Sequence, residues 1–145
     1  MKGAPVRLTL STKYALLALQ ELVRRRGSSS ARELATATDI PAAYLAKLLP
    51  LLARAEILST QRGRGGGVAL ARPPEAISLK EIIEAVEGPT ALQDCPFDLS
   101  PCPGDPSCPL YPVWDPLRAR IVEFLAQTSL QDVVQRIQPP GEEDG

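Results

Sequence analysis

The chain has 145 residues, with 16 Lys/Arg against 17 Asp/Glu and no His. That is room for one domain, or a small domain with an appendage, since single cores commonly occupy about 100–150 residues. Length argues against a two-domain enzyme. Without His, a paired-carboxylate cleft or a nucleotide loop there is also little for acid–base or nucleophilic chemistry, so no enzyme is expected unless an iron–sulfur one.

The near-zero total charge hides a division. Residues 1–72 carry twelve Lys/Arg against four Asp/Glu, whereas residues 73–145 carry four against thirteen. A basic segment joined to an acidic one suits a polyanion partner, because Lys and Arg near phosphates displace condensed counterions. Charge alone also allows two solvated surfaces of opposite sign. Residues 1–6 hold one Lys and no apolar run, and the richest apolar stretch, Tyr14 to Val23, is too short and interrupted to span a bilayer. A cytoplasmic protein with no membrane partner is expected.

From about Thr12, Leu16, Leu19, Leu22 and Val23 repeat at helical spacing, and Arg24, Arg25 and Arg26 fill the last turn before Gly27, which suits the position just past a helix end. Ser30-Ala31-Arg32-Glu33 is a capping box that opens a short second helix to about Thr38. Asp39-Ile40-Pro41 turns the chain into a third helix, from about Ala42 to Ala55, with Leu45, Leu48, Leu49 and Leu52 on one face. Pro50 removes one backbone hydrogen bond and crowds the Ala46 carbonyl, which predicts a kink and not a break. This is the order of a helix-turn-helix.

A strand-like run from Ile57 to Gln61, a tip Arg62-Gly63-Arg64-Gly65-Gly66-Gly67, and a second run from Val68 to Ala71 read as a β-hairpin, ended by Arg72-Pro73-Pro74. Residues 1–72 thus form a winged helix-turn-helix region. Residues 73–88 are a linker and connecting helix, opened by the capping box Ser78-Leu79-Lys80-Glu81, with Leu79, Ile82, Ile83 and Val86 inward. Residues 89–112 contain seven prolines and all three cysteines, which nearly excludes regular structure; long irregular loops of this kind are usually functional or disordered. In residues 113–138, Trp114, Leu117, Ile121, Phe124 and Leu125 follow a near-heptad helical stripe, and Ser129-Leu130-Gln131-Asp132 caps a last short helix. Residues 139–145 read as a disordered acidic tail. The fold class is mainly α with a small β-hairpin: a winged helix-turn-helix plus a long C-terminal helix.

A helix about 10–12 Å across fits the major groove of B-DNA, so the third helix can present its early side chains to base edges. Tyr44 and Lys47 lie one turn apart there, and Ala42, Ala43 and Ala46 leave room for close approach. At the hairpin tip, glycines free the backbone, and Arg62 and Arg64 suit a narrow, electronegative minor groove. The tip lacks the Gly-Lys-Ser/Thr ending of a phosphate-cradling P-loop. A helical hairpin that docks onto a protein is the alternative reading.

Cys95, Cys102 and Cys108 are separated by six and five residues. Three cysteines cannot all pair, and in a reducing cytosol a local cluster points to a metal site or a redox sensor. Thiolates are soft ligands that favour iron–sulfur clusters, zinc or copper(I), and this spacing is not the close C-x-x-C pair of a zinc ribbon. Structural zinc and an unligated thiol switch stay open.

Together the residues resemble the IscR/NsrR-like winged-helix regulators over about residues 7–135. The matching stretches are Arg7-Leu8-Thr9 leading into Lys13-Tyr14-Ala15, Tyr44-Leu45, Arg62 to Gly67, Glu81-Ile82-Ile83-Glu84-Ala85-Val86-Glu87, the cysteine trio, and Trp114 with Leu117. The resemblance implies a homodimeric, repressor-type regulator that senses iron–sulfur status, redox state or nitric oxide through a two-iron (2Fe-2S) or four-iron (4Fe-4S) cluster. It makes Cys95, Cys102 and Cys108 the cluster ligands, Tyr44 and Lys47 the major-groove readers, and Arg62 and Arg64 the wing contacts, with Lys13, Ala43 and Gly65 completing the DNA-facing set. It also implies that the long C-terminal helix is a dimerisation helix, with Trp114, Leu117, Ile121 and Phe124 in its interface. Such a dimer reads half-sites about 34 Å apart, or a multiple of that, in an imperfect palindrome of double-stranded DNA.

Two departures from the family pattern stand out. The first cysteine gap is six residues where the family usually has five, and the position where some members place a His ligand is here about Tyr111. Others use an acidic residue early in the first helix of the partner subunit, where this chain has Lys13. The fourth-ligand candidates are Asp94, Asp98, Asp105, Tyr111, Glu21 of the partner subunit, or an exchangeable small molecule.

Overall fold

A computed structural model describes residues 9–61, 66–89, 91–93 and 108–136. In chain order the helices are α1 (Leu10–Arg25), α2 (Ala31–Thr38), α3 (Ala42–Arg54), α4 (Leu79–Glu87), α5 (Tyr111–Gln127) and α6 (Leu130–Val134). Strands β1 (Leu58–Gln61) and β2 (Gly67–Leu70) follow α3, and 3₁₀ turns occupy Pro74–Ala76 and Ala91–Gln93. The mainly helical winged-helix architecture expected from the sequence is present.

Local signals account for most helix ends. The Thr9 hydroxyl accepts the Thr12 N–H, so α1 begins two residues before the expected Thr12. At its other end the left-handed residue is Arg26 (φ 56°), not Gly27, and its N–H donates to the Leu22 carbonyl. That bond satisfies an orphan carbonyl and offsets the cost of a left-handed non-glycine residue. Ser30 and Glu33 form the capping box of α2 as read. Helix α3 runs unbroken through Pro50, which is exposed, while Leu45, Leu48, Leu49 and Leu52 are buried.

Leu45, Leu49 and Leu52 meet Ala15, Ala18, Leu19 and Leu22 of α1, Leu34 of α2, Ile82 of α4 and Leu130 of α6 in one core. The hairpin is antiparallel, pairing Leu58 with Leu70 and Gln61 with Gly67. A third backbone joins it: Ser29 N–H donates to the Val68 carbonyl at 2.9 Å and Val68 N–H to the Ser29 carbonyl at 2.8 Å. The wing is thereby bonded to the segment between α1 and α2.

Two further ties close the unit. Arg72 donates to the carbonyls of Glu56 and Ala76 and to the Glu81 carboxylate, joining the end of α3, the 3₁₀ turn and α4. Leu79 N–H donates to the Thr128 carbonyl at 2.9 Å and Leu130 N–H to the Ile77 carbonyl at 2.7 Å, so α4 and α6 start side by side. The expectation that residues 89–112 exclude regular structure is corrected at both ends. Leu92 of the Ala91–Gln93 turn is buried with Ile83 and Leu125, and α5 already includes Pro112. Proline is tolerated in a first turn, where its missing N–H is not needed.

The capping boxes of α2, α4 and α6 set a pH dependence. The backbone N–H of Ser30, then its hydroxyl, holds the Glu33 carboxyl below its usual value, and Ser129 does the same for Asp132. Burial pushes the Glu81 carboxyl up, but the Ser78 N–H and the Arg72 guanidinium outweigh it and leave it lowered. A carboxyl lowered on folding contributes stability above its unfolded pKa and loses it as pH falls through the folded one. Urea midpoints should therefore be flat from pH 7 to about 5 and drop below about pH 4. Glu81→Gln should make that drop shallower; an unchanged acid limb would show that the Ser78 cap does not form.

Candidate functional site

The exposed side of α3 carries Ala42, Ala43, Ala46, Lys47 and Arg54, opposite the buried leucines. Ala43 and Lys47 are one turn apart and open to solvent, and Lys13 is exposed on α1. Tyr44 is placed differently. It is half-buried, its hydroxyl is hydrogen-bonded to Ser11 Oγ at 2.8 Å, and its ring meets Tyr14 edge to face at 4.8 Å. Tyr44 thus braces the third helix against α1, a contact 33 residues away in sequence that nothing local announces. Ser11 and Tyr14, three apart on one face of α1, were the residues that could have suggested it.

The wing is held close to α2. A Cβ on Gly67 would lie 2.1 Å from the Ser29 carbonyl oxygen, so only glycine allows this approach. The Ser29 hydroxyl is buried without a hydrogen-bond partner among the described residues. Arg62, Arg64 and Gly65 lie outside the described residues, between the paired Gln61 and the described Gly66.

Of the cysteine site, Cys108 is described: a free, partly buried thiol whose carbonyl accepts the Tyr111 N–H at 3.1 Å, immediately before α5. Tyr111 is half-buried in the first turn of that helix. Cys95, Cys102, Asp94, Asp98 and Asp105 lie outside the described residues. Among the described residues no three Cys, Asp or Glu side chains converge. Glu21 is 6% exposed, and both its oxygens are engaged, one by Arg24 at 3.1 Å and one by Arg25 at 2.6 Å. Its Arg partners sit three and four residues on, a spacing legible in the sequence. On α5, Trp114 Nε1 and Arg118 Nη1 are buried donors without partners among the described residues. Buried donors on the helix that Cys108 leads into fit a negatively charged metal–thiolate group, whose sulfurs accept hydrogen bonds.

The four residues read as one stripe on α5 fall on two sides of a boundary. Ile121 packs inward with Leu92 and Leu125, and Trp114 is half-buried. Leu117 and Phe124 are 49% and 61% exposed, and Leu110 and Val113 join them at 40% and 68%. At 3.6 residues per turn the stripe is about 80° wide, and the edge of the packed body runs through it.

An exposed third helix behind a short partner helix, followed by a two-stranded wing, is the architecture of winged-helix DNA-binding proteins. The family model described as "Rrf2: Iron-dependent Transcriptional regulator" matches residues 8–136, and the chain belongs to this family. It is similar to the HTH-type transcriptional regulator IscR of Cereibacter sphaeroides, 36% identical over 141 residues that cover 92% of this chain and 91% of that one. Its fold is similar to that of CymR, the global cysteine regulator of B. subtilis, with a TM-score of 0.73 at 25% identity, covering 92% of this chain and 99% of that one. T. potens IscR shares the fold at a TM-score of 0.71 and 23% identity, covering 97% of this chain and 94% of that one. The chain is a DNA-binding transcriptional regulator, and its family is one of regulators, not enzymes. Among the described residues no helix is long and apolar enough to cross a membrane.

Proposed function

We propose that this regulator is a homodimeric repressor that binds an imperfect palindrome and senses iron–sulfur status, redox state or nitric oxide through a cluster on Cys95, Cys102 and Cys108. The observation that carries the sensor reading is the position of the trio. It ends at Cys108, at the foot of α5, whose outer flank is an unpartnered apolar band. The iron-dependence in the family's description supports the same reading.

A bound cluster would supply a redox-active, oxidant-sensitive centre. The chain's own residues do the rest. Cys108 ties the site to the first turn of α5, and the backbone bonds between the starts of α4 and α6 tie the far end of α5 to the DNA-binding body. A changed state of the thiols can therefore bias how two copies present their third helices, provided DNA prefers one arrangement. The fourth-ligand candidates are Asp94, Asp98, Asp105, Tyr111, an exchangeable small molecule, or Glu21 of the partner subunit, which would have to give up its ion pairs with Arg24 and Arg25. Ala43, Lys47, Lys13 and the wing residues Arg62, Arg64 and Gly65 form the DNA face, with Tyr44 positioning it.

Anaerobic purification, followed by the absorption spectrum, iron and sulfide counts, and DNA affinity against salt, tests this. Expected are a coloured protein with two or four irons per chain and a steeply negative salt slope. A colourless protein with stoichiometric zinc would overturn the sensor reading and leave the DNA-binding one standing; a shallow salt slope would favour docking onto a protein.

A further inference from the structure

The inner face of α5 continues past its apolar contacts. Ile121, Val122 and Leu125 pack against Ala91 and Leu92. One and two turns nearer the N-terminus on that side stand Arg118 and Trp114, four residues apart. Trp114 Nε1 and Arg118 Nη1 are buried and have no hydrogen-bond partner among the described residues. The Arg118 side chain is only 17% exposed, and its other nitrogen, Nη2, is taken by Asp115. A buried donor left unmade costs about 1–3 kcal/mol, more when charged, so two side by side imply an acceptor.

The described residues on either side bear on what that acceptor is. Ala91 and Leu92 pack against α5 at the level of Ile121, and Cys108 stands just below its first turn. At 1.5 Å per residue those levels are about 20 Å apart, and Trp114 and Arg118 lie between them. The intervening residues carry Cys95 and Cys102. A water or a carboxylate could accept one of these protons. An acceptor group matched to both an indole N–H and a guanidinium carries negative charge spread over several atoms, which is the character of metal-bound thiolate sulfur.

We infer that Trp114 and Arg118 are positioning residues of the cysteine site, donating hydrogen bonds from Nε1 and Nη1 to sulfurs of the metal-bound thiolates. This rests on the cluster reading above. Such bonds stabilise the more negative, reduced state and raise its potential, and outer-shell partners of this kind commonly govern retention of the metal.

The test compares anaerobically reconstituted full-length wild type with Trp114→Phe, Arg118→Lys and Arg118→Met. The readouts are midpoint potential, visible circular dichroism and the rate of iron loss to a chelator. Expected for Trp114→Phe and Arg118→Met are a lower potential, an altered dichroism spectrum and roughly ten-fold faster iron loss, with Arg118→Lys closer to wild type. Trp114→Phe keeps an aromatic ring but loses the N–H together with the five-membered part of the indole, so it is the shift in potential at unchanged thermal midpoint that separates hydrogen bonding from packing. Loaded variants with wild-type potential and iron retention would overturn the inference alone. A wild type that takes up no iron and sulfide would overturn the cluster reading, and this inference with it.

Discussion

Gly67→Ala is expected to unseat the wing. The added methyl would stand 2.1 Å from the Ser29 oxygen, 2.5 Å from the Ser29 carbonyl carbon and 2.8 Å from the Ser30 nitrogen. All three are backbone atoms, so no side chain can rotate to make room. Either β2 or the segment between α1 and α2 must move, and the two Ser29–Val68 bonds at 2.9 and 2.8 Å span that gap. The Ser30 N–H also donates to Glu33 at 3.1 Å, so the same movement strains the capping box of α2. Overpacking of this kind costs about 1–3 kcal/mol and each lost bond about 1 more, which for one or both bonds gives a destabilisation of about 2–5 kcal/mol.

DNA affinity should fall at least ten-fold, because wing and helix-turn-helix must hold a fixed relation to reach adjacent grooves. Gly88→Ala is the control. Its φ is 107° and ψ 158°, a backbone region open essentially to glycine, but nothing lies within 4 Å, so it should cost only backbone strain of about 1–3 kcal/mol and leave DNA binding intact. Urea unfolding, and fluorescence anisotropy on a duplex selected by the wild type, measure both. Gly67→Ala within 0.5 kcal/mol of wild type on the scale of ordinary surface changes would contradict the close approach of β2 to Ser29.

That contrast shows what the sequence could and could not convey. The helices were legible because their punctuation is local: each of Ser30, Ser78 and Ser129 finds its acidic partner three residues on. The leucines of α3 were legible because one face of one helix is buried throughout. Gly67 looked like part of a flexible tip, whereas what it supplies is space against a segment 38 residues earlier in the chain, which no local pattern encodes. Tyr44, read as a base reader, is held by Ser11 and Tyr14 for the same non-local reason. Arg72, read as a hairpin terminator, ties three elements through bonds that depend on the fold. The cysteine trio was conspicuous by residue type and spacing, but the donors of Trp114 and Arg118 emerge only once the packed side of α5 is known.

The same division of α5 yields the second large effect, expected for Leu117→Glu combined with Phe124→Glu. Leu110, Leu117 and Phe124 are seven residues apart and Val113 sits three beyond Leu110, so the four exposed apolar side chains form a band about 60° wide. That is the a/d spacing of a short coiled coil, with Arg120 at the second d position, and in the homodimer proposed above a second copy would pack against it at a shallow left-handed crossing. Two carboxylates placed in this seam would lie in a desolvated interface opposite their own copies, where like charges repel. Because neither side chain belongs to the buried cluster of Ile83, Leu92 and Leu125, the protomer should keep its thermal transition. It should run as a monomer by light scattering, and its affinity for a palindromic duplex should drop about 10²–10⁴-fold, since two linked half-site contacts become one. Leu125→Ala gives the opposite pattern: the side chain is 9% exposed, so it should lose about 2–4 kcal/mol of stability while the band stays intact. A double variant that remained dimeric would mean that the outer flank of α5 is not the seam, and that two-fold symmetry, if present, is built on another surface.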